Sequence, residues 1–357
     1  MSMYFGIGER VERFRAFYQK NNERPLLGFY VGSDYPIFQY ESVRGLPEDR
    51  PLKPSDFDPV SFAKNCRKIF ELHEEYGGDF IWSASAFWGI PWVEALMGMD
   101  IYANNKTGSL YAALPKDYDT TQSFRFDRNN PWAILCRDFL TELKKESGGD
   151  FPLATTRMRG VSDLLSALYP GHKLIYEMID NPDIIHRLAG EINNLIIDFA
   201  NFQLELIPEF HGGTGSFYYN LWAPKGTIWY QEDAVALLSP GLYDEFIRKH
   251  NEELIRSVPG CIMHQHPTGY MPYEKYLQMN FNAHEVHLDE GGPRAEELSE
   301  VYRKIQSSSC LVIWGDLRES DFDFLFSQLD KRGLAVCTMV RSKEEAEHLW
   351  NKYILKQ

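Results

Sequence analysis

Apolar residues recur along this chain in two alternating rhythms. Residues 9–20 (ERVERFRAFYQK) place Val11, Phe14, Phe17 and Tyr18 at helical spacing, which predicts an amphipathic N-terminal helix. Residues 25–32 (PLLGFYVG) form a short apolar run closed by glycine, the pattern of a buried strand. Residues 59–76 read as a helix broken by Gly77-Gly78, and 79–85 as a second strand. The alternation continues with strands predicted at 151–159, 215–222, 261–267, 281–289, 311–316 and 334–340. Helices are predicted between and after them at 131–146, 182–208, 239–257, 293–307, 321–330 and 343–355. Asn181-Pro182 and Ser239-Pro240 each put a capping residue before a proline at the first helical position. Ser342 and Glu345 form a capping box.

Strands that alternate with helices must run parallel, and a parallel sheet needs both faces covered. About eight such units predict a single (β/α)8 TIM barrel spanning 1–357, with an N-terminal helix and a long loop insertion after strand 2 at 86–130, a candidate lid. The rival is an open doubly wound sheet, which usually carries a Gly-rich phosphate loop after its first strand. None is present: His211-Gly212-Gly213-Thr214-Gly215 precedes a strand instead of opening a helix. No internal repeat and no low-complexity linker interrupts the chain.

Composition narrows the function classes. With 357 residues, 44% of them hydrophobic, the chain can bury a large core. A net charge of -14, with no basic run, argues against nucleic acid and anionic membranes as partners. No apolar stretch is long enough to span a bilayer, and the N-terminal residues lack the apolar core of a signal peptide. Five scattered cysteines do not suggest a disulfide framework, so the expected location is cytoplasmic. Aromatic residues make up 14% of the chain, suiting either a pocket for a flat ligand or a well-filled core.

The chemistry concentrates in two neighbouring strands. In Cys261-Ile262-Met263-His264-Gln265-His266-Pro267, alternation puts His264 and His266 on the same side, near the carboxyl end where barrel enzymes keep their sites. Two such imidazoles suit a divalent metal, or else hydrogen-bond a substrate or water. On the next strand Val286 and Leu288 share one face; Glu285, His287 and Asp289 share the other, with Asp289 closest to the rim. They form either a reactive polar lumen or an internal salt-bridged layer. Cys337, on the last strand, is a candidate thiolate ligand or a small buried apolar residue. Arg157 and Arg159 end the third strand and suit a substrate carboxylate. Tyr219, Trp222, Trp314 and Trp88 lie at strand ends as candidate cofactor contacts or as packing, and Ser83, Phe87, Glu94, Gln231, Glu232, Asp233, Asp316 and Arg318 also fall there.

Three segments resemble the uroporphyrinogen decarboxylase superfamily. They are Met158-Arg159-Gly160-Val161-Ser162-Asp163-Leu164-Leu165, Asn181-Pro182-Asp183-Ile184-Ile185-His186-Arg187-Leu188, and 237–246 (LLSPGLYDEF). The resemblance implies a (β/α)8 barrel. Its decarboxylases use an N-terminal arginine motif that is missing from the first strand, which reads LGFYVGSD over 27–34. The branch of corrinoid-protein:thiol methyltransferases and cobalamin-independent methionine synthase holds zinc by a His-x-Cys pair, an acid on the next strand and a late Cys. That carries over to His264, His266 in place of the usual Cys, Asp289 and Cys337. The resemblance thus implies a zinc-dependent methyltransferase moving a methyl group from a corrinoid or other donor to a thiol. A small corrinoid protein is an expected partner and a homodimer an expected assembly, with Asp289, Glu285, His287 and Arg159 as catalytic groups. The alternatives are a carboxy-lyase acting on a carboxylated tetrapyrrole or aromatic, and a non-catalytic corrinoid- or ligand-binding barrel.

Overall fold

A computed structural model describes residues 3–217 and 220–355. Its strands are β1 (Leu26–Tyr30), β2 (Asp100–Asn104), β3 (Ser109–Ala113), β4 (Met158–Arg159), β5 (Gly213–Ser216), β6 (Leu221–Pro224), β7 (Thr227–Gln231), β8 (Gly260–Gln265), β9 (Ala283–Leu288), β10 (Cys310–Gly315) and β11 (Leu334–Met339). Seven of them form one parallel sheet in the order β1-β11-β10-β9-β8-β7-β4. Helices separate the strands, as parallel connections require.

Strand alternation sorts the two faces. Leu27, Phe29, Val286, Leu288, Leu311, Ile313, Leu334 and Val336 pack on one side with Tyr302, Ile305, Phe322, Leu325 and Trp350 of the covering helices. The other face carries Tyr30, Glu285, His287, Trp314 and Cys337. No helix among the described residues is long and apolar enough to cross a membrane.

Four expectations need correction. The segment 79–85 is not a regular strand: its one bridge joins Ala84 to Leu153. Side chains take over part of the pairing, with Asp79 accepting the Leu27 N–H (2.9 Å) and Ser83 donating to the Ser216 carbonyl (2.6 Å). Backbone bonds still tie this segment to β1 and to the residues ahead of β4, from Asp79 N–H to the Leu27 carbonyl (2.8 Å) and between Ala84 and residues 152 and 154 (3.1 and 2.8 Å).

The predicted strand at 215–222 is instead an antiparallel hairpin of β5 and β6. Asn220 sits at φ +55°, a left-handed conformation that turns the chain where a strand would run straight. The sheet strand is β7, which follows the turn at Gly226 (φ +77°).

The insertion at 86–130 is ordered: it holds the helix Trp92–Leu96 and the β2–β3 hairpin. Trp92 is buried against Trp132, Phe139 and Phe199, so this region is part of the core and not a loose lid. The unpredicted stretch 161–180 carries the helices Val161–Leu168 and Lys173–Asp180. Asn181 precedes the helix Pro182–Leu206 without capping it, because its amide donates to Glu177 instead (2.9 Å).

Two predictions follow from packing at the sheet edge. Asp79 is fully buried and accepts from Arg24 (2.6 and 2.7 Å) and Arg13 (3.1 Å) as well as from Leu27. Asp79→Ala strands two guanidinium groups and one amide, and is expected to cost about 3 kcal/mol in denaturant unfolding. A loss under about 0.5 kcal/mol, the scale of a neutral surface change, would show that the seam does not depend on it.

His73 accepts the Val31 N–H at Nε2 (3.0 Å) and donates from Nδ1 to the Ile69 carbonyl (2.8 Å). Burial pushes its pKa down from 6.5 to about 4, against the opposing Ile69 bond. Between those values the unfolded chain binds the proton and the native chain does not. The His73 contribution is therefore complete above pH 6.5 and is lost as the pH falls towards 4. Wild type should lose about 3 kcal/mol more than His73→Gln between pH 7 and pH 4. Equal acid slopes in unfolding titrations would refute this.

Candidate metal centre

The site forms where β7, β8 and β9 end together. Pairing sets His264 beside Glu285 and His287 beside Trp314, all on the same sheet face. The β8 ladder stops at Gln265, and Pro267, lacking an N–H, prevents it from continuing. His266 lies just beyond, at the mouth.

His264 and His266 face each other through their Nε2 atoms, 2.8 Å apart. Behind each ring stands a carboxylate: Glu285 on His264 Nδ1, and Asp289 on His266 Nδ1 at 2.7 Å. With both carboxylates ionised, each Nδ1 must donate, and each Nε2 then points a lone pair at the other. Such a pair needs one more positive charge between the rings, either a proton or a metal ion.

His287 completes a group of three imidazoles, each of which brings one ring nitrogen within 4.8 Å of the other two. Its Nδ1 is buried and has no hydrogen-bond partner among the described residues. Two nitrogens bound to a single tetrahedral zinc ion are about 3.3 Å apart. The observed spacings bracket that value, so the rings fit a metal after small rotations.

Electrostatics keeps two of the rings neutral. Burial, reinforced by the neighbouring His266 and His287, pushes His264 well below 6.5. Burial and His266 bring His287 down to about 4. Burial opposes protonation of His266 too, but Asp289 and Asp233 outweigh it and raise its pKa. Burial and the nearby Asp163 carry Asp233, 4.0 Å from His264, up to about 7.

The three imidazoles open on a cavity of about 180 Å³. That is space for about six waters. Trp88, Phe217 and Trp229 form an aromatic wall, with neighbouring rings 5.7 and 5.1 Å apart at 64° and 73°. Asp34, Arg157, Gln231 and Asp233 supply the polar part of the lining.

Not every expected site residue meets here. Asp289 lies behind His266 and outside the group of three; His287 takes the place expected for it. Cys337 is excluded as well. It lies two strands from His287, and strands two apart are separated by about 10 Å. The Trp314 indole fills that gap, paired beside Cys337 and with its ring 4.8 Å from His287. Burial and Glu285 push the Cys337 thiol up, away from thiolate character.

Arg159 is an ion-pair residue, held by Glu94 and by Asp163 (3.6 Å) and so not free to take a substrate. Trp222 packs with Tyr18 and under Arg15 of the helix Ile7–Tyr18, outside the cavity lining. Trp314 is a buried wall between His287 and Tyr30. Tyr219 lies outside the described residues.

Three lining residues were missed, Asp34, Phe217 and Trp229. A signal for Trp229 was present: Lys225-Gly226 marks a turn, and the aromatic, β-branched run TIWYQ follows it.

Neither a protein-family profile nor the sequence of a curated protein matches this chain. Among solved structures, the carboxyl transferase domain from Rhizobium etli pyruvate carboxylase, with oxamate and biotin, matches 92% of this chain and 42% of that one at 10% identity. Its TM-score of 0.41 is too low to support a shared fold. A methyltransferase from Methanosarcina mazei matches 94% of this chain and 96% of its own, at a TM-score of 0.65 and 15% identity, and so shares the fold of this chain over nearly the full length of both.

Proposed function

We propose that this chain is a zinc-dependent methyltransferase of the uroporphyrinogen decarboxylase superfamily, with His264, His266 and His287 as ligands and a small thiol as methyl acceptor. The observation that carries it is the convergence of three imidazoles on one cavity, two of them backed by carboxylates. Three protein ligands with a fourth position open is the pattern of a catalytic zinc, whereas structural sites are closed by four. The whole-length likeness in fold to a methyltransferase supports the same reading. In this reading the 79–85 segment, bonded to β1 and to the residues ahead of β4, closes the sheet into a (β/α)8 barrel.

The bound metal would lower the pKa of the substrate thiol so that it reacts as a thiolate. The chain's own residues prepare that step. Glu285 and Asp289 act as positioning residues: they hold Nδ1 of His264 and His266 and turn each Nε2 towards the shared centre. Trp88, Phe217 and Trp229 exclude water from one side. The cavity of about 180 Å³ is too small for a corrin ring. A corrinoid donor would therefore arrive on a partner protein at the mouth of the site. The same size argues against a tetrapyrrole carboxy-lyase and a corrinoid-storing barrel.

Elemental analysis of the purified protein, after incubation with zinc and desalting, tests the ligand set. About one zinc per chain is expected in wild type and in Cys337→Ala, and much less in His264→Ala, His266→Ala or His287→Ala. Asp289→Asn should weaken binding about 10- to 100-fold without abolishing it. Zinc-free wild type, or zinc lost from Cys337→Ala and kept in His287→Ala, would reject this centre.

A further inference from the structure

Arg157 and Asp34 line the cavity without an ion pair between them. Arg157, at the start of the turn into β4, makes no hydrogen bond or ion pair with any described residue. Glu94, Asp163 and Asp233 act on its charge from beyond ion-pair distance, and each also holds another group. Glu94 and Asp163 hold Arg159; Asp163 also accepts from Gln231 (3.2 Å) and from the Ala234 N–H (2.8 Å); Asp233 accepts from Gln231. Asp34, in the loop after β1, has no ion pair among the described residues, and its carboxylate accepts only from its own backbone N–H. Trp88, Phe217 and Trp229 line the same cavity. A half-buried guanidinium left without a hydrogen-bonded partner is costly, and an acid lining the same small cavity repeats the cost with opposite sign.

We propose that this cavity binds a small zwitterion. The ligand's carboxylate pairs with the Arg157 guanidinium, and its ammonium group lies against Asp34 and the aromatic wall. Arg157 offers a planar fork that matches a carboxylate. The tilted rings offer π faces that attract an ammonium group, alkylated or not. A volume of about 180 Å³ suits an amino-acid-sized molecule. The proposal rests on reading this cavity as the substrate site, but does not depend on the identity of the metal. Amino-acid thiols and N-methylated amino acids share this chemistry, and the test separates them.

Isothermal titration of the zinc-loaded and the metal-stripped protein decides it. The probes are L-homocysteine and glycine betaine, each with single-charge analogues. For homocysteine these are 4-mercaptobutyrate, which lacks the ammonium, and 3-aminopropane-1-thiol, which lacks the carboxylate. For betaine they are 3,3-dimethylbutyrate and choline. At least one zwitterion should bind about tenfold or more tightly than both of its analogues, the scale of one charged hydrogen bond lost. Homocysteine favoured only in the zinc-loaded protein identifies a thiol substrate; betaine favoured in both forms identifies an N-methylated one. Arg157→Gln should erase the advantage over the carboxylate-free analogue alone, and Asp34→Asn the advantage over the ammonium-free analogue alone. This crossed pattern cannot come from misfolding, which would weaken every probe together. Analogues that bind wild type as tightly as their zwitterions would overturn the proposal even if zinc is present. Zwitterion preference in a protein that never retains zinc would instead overturn the metal centre and leave this inference standing.

Discussion

The facing of His264 and His266 at 2.8 Å constrains everything around it. Each ring is fixed from behind by a carboxylate, and each carboxylate comes from the neighbouring strand or the turn beyond it. The arrangement exists only because β8 and β9 pair in one particular register, with His264 opposite Glu285. A slip of one residue would turn Glu285 and His287 into the apolar layer that Val286 and Leu288 now occupy. The outer helices, which clamp that apolar layer, therefore also hold the imidazoles in place. Packing on one face of the sheet fixes chemistry on the other.

Much of this could be read from the sequence because alternation in a strand is strict. The periodicity separates Glu285, His287 and Asp289 from Val286 and Leu288, and His264 and His266 from their neighbours, with no need of coordinates. Alternation gives the face but not the distance between strands. Cys337 does lie on the same face as His287, yet Trp314 lies between them. Choosing between His287 and Asp289 as the third member of the candidate centre required knowing which way the His266 ring turns. Its Nδ1 turns to Asp289, which leaves the carboxylate behind the ring and brings His287 to the front.

The fold was less legible where side chains replace backbone pairing. Asp79 and Ser83 satisfy backbone groups that a regular strand would have paired with its neighbours, so 79–85 looks like a strand in sequence without forming one. At 215–222 the error was of the opposite kind. An apolar, aromatic run looked continuous, although Asn220 adopts a left-handed conformation that breaks it. Asparagine and glycine are the residues that tolerate that conformation, but nothing local says which of their occurrences will use it.

The two arginines before and within β4 show how one short segment divides its work. Arg157 and Arg159 are two apart and share a direction along the strand. Arg159 meets Glu94 from the ordered insertion and Asp163 from the first turn of the helix Val161–Leu168. Beside that pair, Glu232 caps the same helix, accepting the Val161 and Ser162 N–H groups (3.2 and 2.8 Å) while Tyr230 donates to it (2.6 Å). A Cβ at position 160 would come within 2.3 Å of the Glu232 carboxyl, so only glycine lets the acid approach so closely. The acids reaching this segment are thus committed to Arg159 and to the helix end. With its neighbours already paired, Arg157 is the cation left to face the cavity. An insertion expected to be a mobile cover instead supplies Glu94, and through it decides which of two adjacent arginines is available to a ligand.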